Sequence, residues 1–189
     1  MTKDEDPDAD ARGEFTRFFE RHYDDVRRYA WRRVGPDRAD DVAADTFAVA
    51  WRRRAKVPVD DPLPWLYAVA RNTVLARGRE ERRRGEVLST FGGAWEGASP
   101  AGDASQQVTE REAALSVLSR LKPGERELVM LVAWEGLDVR AAARVLGCTA
   151  ATARVRLHRA RKRITRLMER ESATAVSGRG DMIPAGGLR

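Results

Sequence analysis

The segment with the clearest potential for binding chemistry is "TAATARVRLHRARKRITRLM", residues 149–168. It contains six arginines and one lysine but no carboxylate. Soluble helices usually mix their charges, because like charges four residues apart repel one another. Guanidinium groups are planar forks that match the paired acceptors of guanine and the oxygens of a phosphate. The segment therefore predicts contact with nucleic acid; the ordinary alternative for a charge run is a solvated cationic face.

The two sides of this predicted helix have different compositions. At about 100° per residue, one stripe is apolar and should pack on preceding helices: Ala153, Leu157, Ala160, Ile164 and Leu167. The other sides carry the candidate DNA contacts: Thr149, Ala151, Thr152, Arg154, Val155, Arg156, His158, Arg159 and Lys162. We expect Arg154 to contact a guanine edge and Val155 a thymine methyl, with the flanking arginines on phosphates.

A short helix and a tight turn should position the basic helix. Asp138 is a candidate N-cap before "VRAAARVLG", and Gly147 suits the left-handed stop of that short helix. Thr149 then caps the basic helix. This order predicts a helix-turn-helix, and the apolar spacing before it predicts further helices, one of them starting at Pro123.

The first half of the chain also has helical periodicity. Apolar residues from Phe15 onward form a 3.6-residue stripe, and "GPD" at residues 35–37 ends that helix with Asp37 as the next N-cap. The proline-rich "KVPVDDPLP" at 56–64 predicts a loop. A third helix should start near Trp65 and continue into the arginine block at residues 77–84.

These patterns predict an all-α protein made of two small helical domains on a flexible linker. The predicted boundaries are an acidic disordered tail (1–13), a helical bundle (14–84), a flexible Gly/Ser/Ala-rich linker (85–109), a helix-turn-helix domain (110–170) and a flexible tail (171–189). We expect each domain to have its own interior. Phe91 and Trp95 within the linker either rest on a neighbouring domain or dock on a partner.

Composition argues against several other classes of protein. The single Cys148 permits no intramolecular disulfide and fits a reducing compartment. No apolar run approaches the roughly 20 residues that span a bilayer, and the N-terminus is acidic where a secretory signal is basic. We therefore expect a cytoplasmic protein without membrane insertion. No metal-spaced cluster, nucleophile–base pair or phosphate-cradling glycine loop is present, so we expect no enzyme activity, metal or cofactor.

Several stretches resemble the sigma-70 family, specifically its extracytoplasmic-function (ECF) group. "ADDVAADTFAVAWRR" resembles region 2.2, and "PWLYAVARNTVLARGREERRR" resembles regions 2.3 and 2.4. "LSRLKPGERELVMLVAWEGLDVRAAARVLGCTAATARVRLHRARKRI" resembles region 4 along its whole length. The resemblance implies a sigma region 2 bundle followed by a sigma region 4 helix-turn-helix.

The resemblance also implies partners and the residues that meet them. A sigma factor binds core RNA polymerase, through its β′ clamp helices and β flap, and promoter DNA; an anti-sigma factor is a further candidate. The β′ contacts would be Asp41, Asp45, Phe47 and Trp51. The contacts to the minus-ten element, including a base drawn from its stack, would be Lys56, Trp65, Arg71, Asn72, Arg77 and Arg79. Core packing is the alternative role for Phe47, Trp51 and Trp65.

Two other functions compete with this interpretation. A stand-alone helix-turn-helix regulator explains the second half but leaves the arginine-rich helix of the first half unassigned. An interaction protein that lies on anionic lipid is a different class. The apolar stripe opposite the basic face is narrow and alanine-rich, which favours close helix packing over insertion among acyl chains.

Overall fold

The computed structural model describes the backbone of residues 7–84 and 114–177, and the regular elements there are helical. The helices are α1 (Pro7–Val34), α2 (Pro36–Arg52), α3 (Leu63–Arg83), α4 (including 114–119), α5 (Pro123–Ala133), α6 (Val139–Leu146) and α7 (Ala150–Ser177). A short 3-10 turn, Arg54–Lys56, lies between α2 and α3. The predicted all-α fold is confirmed.

The first module, α1–α3, is a three-helix bundle with an aromatic layer. Phe47 on α2 contacts Phe19 and Phe18 of α1 at ring distances of 4.8 and 6.2 Å. Gly35, with φ of 83°, separates α1 from α2 and is the N-cap residue of α2. The prediction that Asp37 is this cap was wrong. Asp37 lies in the first turn, where its carboxylate complements the positive end of the helix dipole.

The second module, α4–α7, packs α5, α6 and α7 against one another. Pro123 occupies the start of α5 as predicted, since a first-turn residue needs no amide proton for the helix. Its interior is formed by aliphatic side chains and alanines, of which Ala153 and Leu157 lie on the predicted stripe of the basic helix: Leu128, Leu131, Ala142, Val145, Ala153 and Leu157.

The two modules pack against each other, with α3 of the first on α6 of the second. One continuous cluster of buried apolar side chains includes Val26 and Leu66 from the first module and Leu128 and Leu131 from the second. The expectation of separate interiors therefore does not hold in this conformation. Helical periodicity shows which face of a helix is buried but not which element covers it, so this packing was not visible in the sequence.

Two predicted boundaries differ from the structure. The helix α1 begins at Pro7, so residues 7–13 of the predicted disordered tail are helical; negative charge such as that of Asp10 is favourable at a helix N-terminus. The helix α7 continues to Ser177, seven residues into the predicted C-terminal tail, because a formed helix extends by one hydrogen bond per residue without a new nucleus. The predicted linker (85–109), with Phe91 and Trp95, lies outside the described residues.

Candidate nucleic-acid interface

The turn between α6 and α7 is defined by the residues that the sequence indicated. The Oδ1 atom of Asp138 accepts a hydrogen bond of 2.7 Å from the Ala141 amide, and this amide lowers the pKa of the Asp138 carboxyl. Gly147 ends α6 with φ of 64°. The Oγ1 atom of Thr149 accepts from the Thr152 amide at 3.1 Å and so caps α7. The predicted helix-turn-helix is thus formed with both of its predicted caps.

The helix α7 buries one side and exposes the other. Ala153, Leu157 and Ala160 are buried against the second module, while Ile164 and Leu167 are half-buried. The predicted apolar stripe is therefore confirmed. Its two alanines allow α7 to approach α5 and α6 closely, which directs the basic face away from the module.

All nine candidate contacts on this helix are at the surface. Thr152 is half-buried and bonded to Thr149, and the other eight are exposed. Val155 is 50% exposed, which is unusual for an aliphatic side chain within a helix that has a buried face. Among the described residues, no ion pair involves Arg154, Arg156, Arg159 or Lys162. These cations are available to an external anion without breaking a contact within the described chain.

The candidate minus-ten contacts divide between two faces of α3. Trp65, Asn72 and Arg79 are seven residues apart and fall on one side of the helix, whereas Arg71 lies about 100° around it and is half-buried. Asn72 and Arg79 are exposed, whereas Trp65 packs partly on the hydrophobic core. Lys56 is exposed in the turn before the loop. The structure thus supports the alternative that was considered for Trp65, which is a role in core packing.

Arg77 lies on the opposite side of α3, facing α2. Its Nη2 atom donates to Asp45 at 2.5 Å, and its Nη1 atom is 3.4 Å from Asp41. Burial alone lowers the pKa of the Arg77 guanidinium, but the two carboxylates raise it above the usual value. Arg77 therefore does not join the other candidate DNA contacts, and Asp41 and Asp45 are exposed but already partnered.

Phe47 and Trp51 are packing residues in this structure. Phe47 is buried in the aromatic layer of the first module. Trp51 is half-buried, contacts Phe15 edge-on at 5.0 Å and lies under the guanidinium of Arg54. Of the two roles considered for each, core packing is the one that the contacts support.

A groove of about 770 Å³ lies between α1 and the segment 54–62. Phe15, Phe18 and Val57 give it an apolar wall, and its cationic lining consists of Arg17, Arg21 and Arg54. The sequence pointed to Lys56 as a candidate DNA contact but did not predict that residues of α1 line a groove beside the loop. The signal was present in the four-residue spacing of Arg17 and Arg21, which places both guanidinium groups on one side of α1.

His22 also lines this groove. Its Nδ1 atom is buried without a hydrogen-bond partner, and burial lowers the pKa of the imidazole, as does Arg21 nearby, while Asp25 raises it. Neither Asn72 nor Trp65 lines the groove, so these two candidate minus-ten contacts lie outside it.

The described parts of the chain contain neither a metal-site cluster nor a membrane-spanning helix. Within residues 7–84 and 114–177, no three His, Cys, Asp or Glu side chains are grouped as a metal site. No helix in these ranges is long and apolar enough to cross a membrane.

Two family models match the chain in sequence order. Sigma-70 region 2 matches residues 18–84, and Sigma-70, region 4 matches residues 111–164. The first match covers the module that contains the groove, and the second covers the helix-turn-helix. The two matches together account for most of the described residues.

Individual relatives show the same similarity. The probable RNA polymerase sigma factor RfaY of Xanthomonas campestris pv. campestris is 36% identical over 129 residues, which are 65% of this chain and only 32% of RfaY. The ECF RNA polymerase sigma factor SigM of Mycobacterium tuberculosis is 31% identical over 157 residues, or 82% of this chain and 76% of SigM. The sigma factor RpoE of Bartonella quintana, solved with the anti-sigma factor NepR, has the same fold, with a TM-score of 0.65 at 23% identity over 82% of this chain and 97% of RpoE. The chain belongs to the sigma-70 family and, within it, to the ECF sigma factors.

Proposed function

We propose that this chain binds core RNA polymerase, directs it to specific promoters and helps to open the duplex there. The observation that carries the proposal is the exposed cationic face at the start of α7, where Arg154, Arg156 and Arg159 form no ion pair within the described chain. The caps at Asp138 and Thr149 hold this face outward. A region 2 module precedes it in the same chain, as a polymerase subunit requires and a plain operator-binding regulator does not.

The N-terminal half of α7 would enter the major groove at the minus-thirty-five element. A major groove about 12 Å wide admits one α-helix, and the first turns of a recognition helix face the base edges. Arg154 and Val155 are exposed in those turns, where they would contact guanine and a thymine methyl. The flanking cations, Arg156, Arg159 and Lys162, would contact phosphates and fix the register of the helix.

The groove beside the loop supports capture of a flipped base at the minus-ten element. An extruded base needs an aromatic or apolar wall and a polar group for its edge, and its phosphates need cations. Phe15 and Phe18 supply the wall, and the half-buried imidazole of His22 supplies the polar group. The cations are Arg17, Arg21 and Arg54. The exposed side of α3, with Asn72 and Arg79, would then hold the adjoining strand.

The polymerase contact would use the exposed edge of α2. Asp41 and Asp45 lie there beside Arg77, and a basic side chain of the β′ subunit would replace Arg77 or share the two carboxylates with it. An exchange of this kind costs little, because exposed ion pairs are worth at most about 1 kcal/mol. The β flap would meet the region 4 module.

The remaining features of the function follow from the family. An anti-sigma factor is a candidate inhibitor, since the similar RpoE was solved with one. The chain would act in the cytoplasm, where polymerase and promoters are. It would contribute binding energy rather than catalytic groups, and would need neither a metal nor a cofactor.

Run-off transcription tests the proposal directly. The purified chain is added to core RNA polymerase with a library of genomic fragments, and the transcripts are sequenced from their 5′ ends. We expect defined start sites that are absent when either component is left out. Specific duplex binding by the chain alone, with no polymerase-dependent transcript, would instead support the stand-alone regulator. The variant Arg154→Ala should change which start sites are used.

A further inference from the structure

The interface between the two modules contains a buried network of charged side chains. The carboxylate of Glu127 on α5 accepts hydrogen bonds from the Arg33 guanidinium at 2.9–3.1 Å and from the Tyr29 hydroxyl at 2.9 Å. Glu135 accepts from Arg33 at 2.9 Å and from Arg32 at 2.5 Å. These five residues, the inter-module network, join the end of α1 to α5 and the turn that follows it.

The network is enclosed by the two modules. Arg33 is 1% exposed and Glu127 is 5% exposed, and the Arg33 guanidinium lies 3.4 Å from the centre of the Tyr29 ring. Burial alone lowers the pKa of Arg33, but Tyr29 and the two carboxylates outweigh it, so that the pKa is raised. Burial raises the pKa of Tyr29 well above its usual value. Arg33 is therefore a cation and Tyr29 a neutral hydrogen-bond donor at physiological pH.

A second contact between the modules lies at the edge of the interface. The Nη2 atom of Arg144 on α6 is 2.9 Å from the carboxylate of Asp61, in the loop before α3. Both side chains are more than half exposed. This contact sets α6 of the helix-turn-helix against the loop that borders the groove.

The packed arrangement is too short for simultaneous binding of both promoter elements, if the proposed function holds. The minus-ten and minus-thirty-five elements are centred about 25 base pairs apart, which is roughly 85 Å of DNA at about 3.4 Å per step. A packed unit of about 140 residues has a radius of gyration near 14 Å and is roughly 40 Å across. The connection between Arg84 and residue 114 can extend to about 100 Å, so the chain itself permits separation.

We propose that the inter-module network holds this sigma factor in a closed, inactive arrangement, and that the network must break for the two modules to reach both promoter elements. Core polymerase would bind the open arrangement and so shift the population toward it. This inference rests on the proposed function for its effect on transcription, but the closed arrangement itself can be tested without polymerase.

The chemistry of the network suits a contact that must separate. Charges recover their hydration when an interface opens, so a buried ion network contributes less net stability than well-packed apolar side chains of the same volume. The same charges fix one geometry, because a displaced Arg33 would leave both carboxylates buried and unpaired. The network thus specifies the closed arrangement while leaving it only moderately stable.

Small-angle X-ray scattering of the full chain, with Glu127→Gln as the main variant, tests the closed arrangement. Removal of one carboxylate leaves Arg33 buried and incompletely neutralised, which favours opening. We expect the radius of gyration to rise by at least about 5 Å relative to the wild type. Asp25→Asn is the control, since Asp25 forms an exposed ion pair with Arg28 within α1 and should leave the radius unchanged. An unchanged radius in Glu127→Gln, with helix content preserved, overturns the proposal.

Two further variants keep the test decisive. Arg144→Glu places a like charge opposite Asp61 at the exposed edge of the interface, where folding of either module is not at risk, and should also raise the radius of gyration. The double variant Arg33→Met, Glu127→Gln removes one cation and one carboxylate, keeps an acceptor for Tyr29 and leaves Glu135 paired with Arg32, so it should stay closed. A compact Arg144→Glu variant at low salt, or an expanded double variant, contradicts the proposal.

Run-off transcription then distinguishes a failure of the closed arrangement from a failure of the proposed function. At subsaturating protein, Glu127→Gln and Arg144→Glu should yield at least about threefold more transcript than the wild type, because a larger fraction is competent to bind polymerase. The double variant, which should stay closed, should yield no more transcript than the wild type. If the radii change as expected but no variant supports transcription, the closed arrangement stands and the proposed function fails. Altered radii with equal transcription from all variants would overturn the inactive role of the closed state.

Discussion

At the scale of single residues, the surroundings of each arginine assign it a different task. Arg33 is enclosed with two carboxylates at the module interface, and Arg77 is shared between Asp41 and Asp45 at the surface. Arg154 is exposed and has no ion pair within the described chain. An exposed arginine without an ion pair can bind an external phosphate or guanine without first losing a partner, so Arg154, Arg156 and Arg159 are the best candidates for DNA contact.

Arg154→Ala should alter sequence preference, whereas Arg166→Ala should not. A bidentate contact to guanine is worth about 1–3 kcal/mol of discrimination, so loss of Arg154 should relax selection at one base pair of the minus-thirty-five element. Arg166 lies further along the exposed face, where it would contact a phosphate. Its loss should weaken binding to all sites alike and reduce the salt dependence of binding by about one counterion. Selection of binding sites by the holoenzyme from a randomised promoter library measures both effects. A change of preferred base in Arg166→Ala would contradict the assignment of faces.

His22 should make the first module less stable in acid. The folded-state pKa of its imidazole is lowered by burial, so the folded protein binds a proton less readily than the unfolded chain does. The contribution of His22 is constant above pH of about 6.5, the usual value, and becomes destabilising as the pH falls from there through the lower folded-state pKa. Between pH 7.5 and 5.5, the melting temperature of His22→Gln should therefore fall less than that of the wild type. An identical decline in both proteins would show that His22 is not responsible.

At the scale of elements, caps determine where the recognition helix begins. Thr149→Ala removes the acceptor for the Thr152 amide and should lower the free energy of unfolding by about 1 kcal/mol. Thr149→Ser keeps a hydroxyl acceptor and should retain most of the wild-type free energy of unfolding. Thr165→Ala is a matched control, because the hydroxyl of Thr165 bonds only to the Arg161 carbonyl within the helix. Urea unfolding measures the three variants, and an equal loss in Thr165→Ala would argue against a specific capping effect.

The elements were largely predictable from sequence because their signals are local. Asp138, Gly147 and Thr149 mark the turn by residue type, and Ala153, Leu157 and Ala160 mark the buried stripe by spacing. The cap of α2 was misplaced because proline and aspartate at positions 36 and 37 both fit a first turn, and only the backbone shows that Gly35 precedes it. Such one- or two-residue errors at helix ends are expected when competing start signals are adjacent.

At the scale of the whole molecule, the sequence could not show which surfaces meet. Glu127 lies in the charged first half of α5, and nothing within its own segment identifies Arg33, 94 residues away, as its partner. The groove was missed for the same reason, since His22 and Val57 approach each other only after α1 and the loop are packed. Pairings across long sequence separation depend on tertiary geometry that periodicity and capping signals do not encode.

The shared interior should make the two modules unfold together. Val26, Leu66, Leu128 and Leu131 belong to one apolar cluster, so separation of the modules exposes surface on both. Differential scanning calorimetry of the wild type should give one transition whose calorimetric and van't Hoff enthalpies agree. In Glu127→Gln the modules should separate before either unfolds. Each module then keeps its own helices but loses the stability gained by packing on the other, so the two should melt at different temperatures. Asp25→Asn should keep the single transition. Two transitions already present in the wild type would mean that the modules are thermodynamically independent, and the buried network would then orient them without coupling their stability.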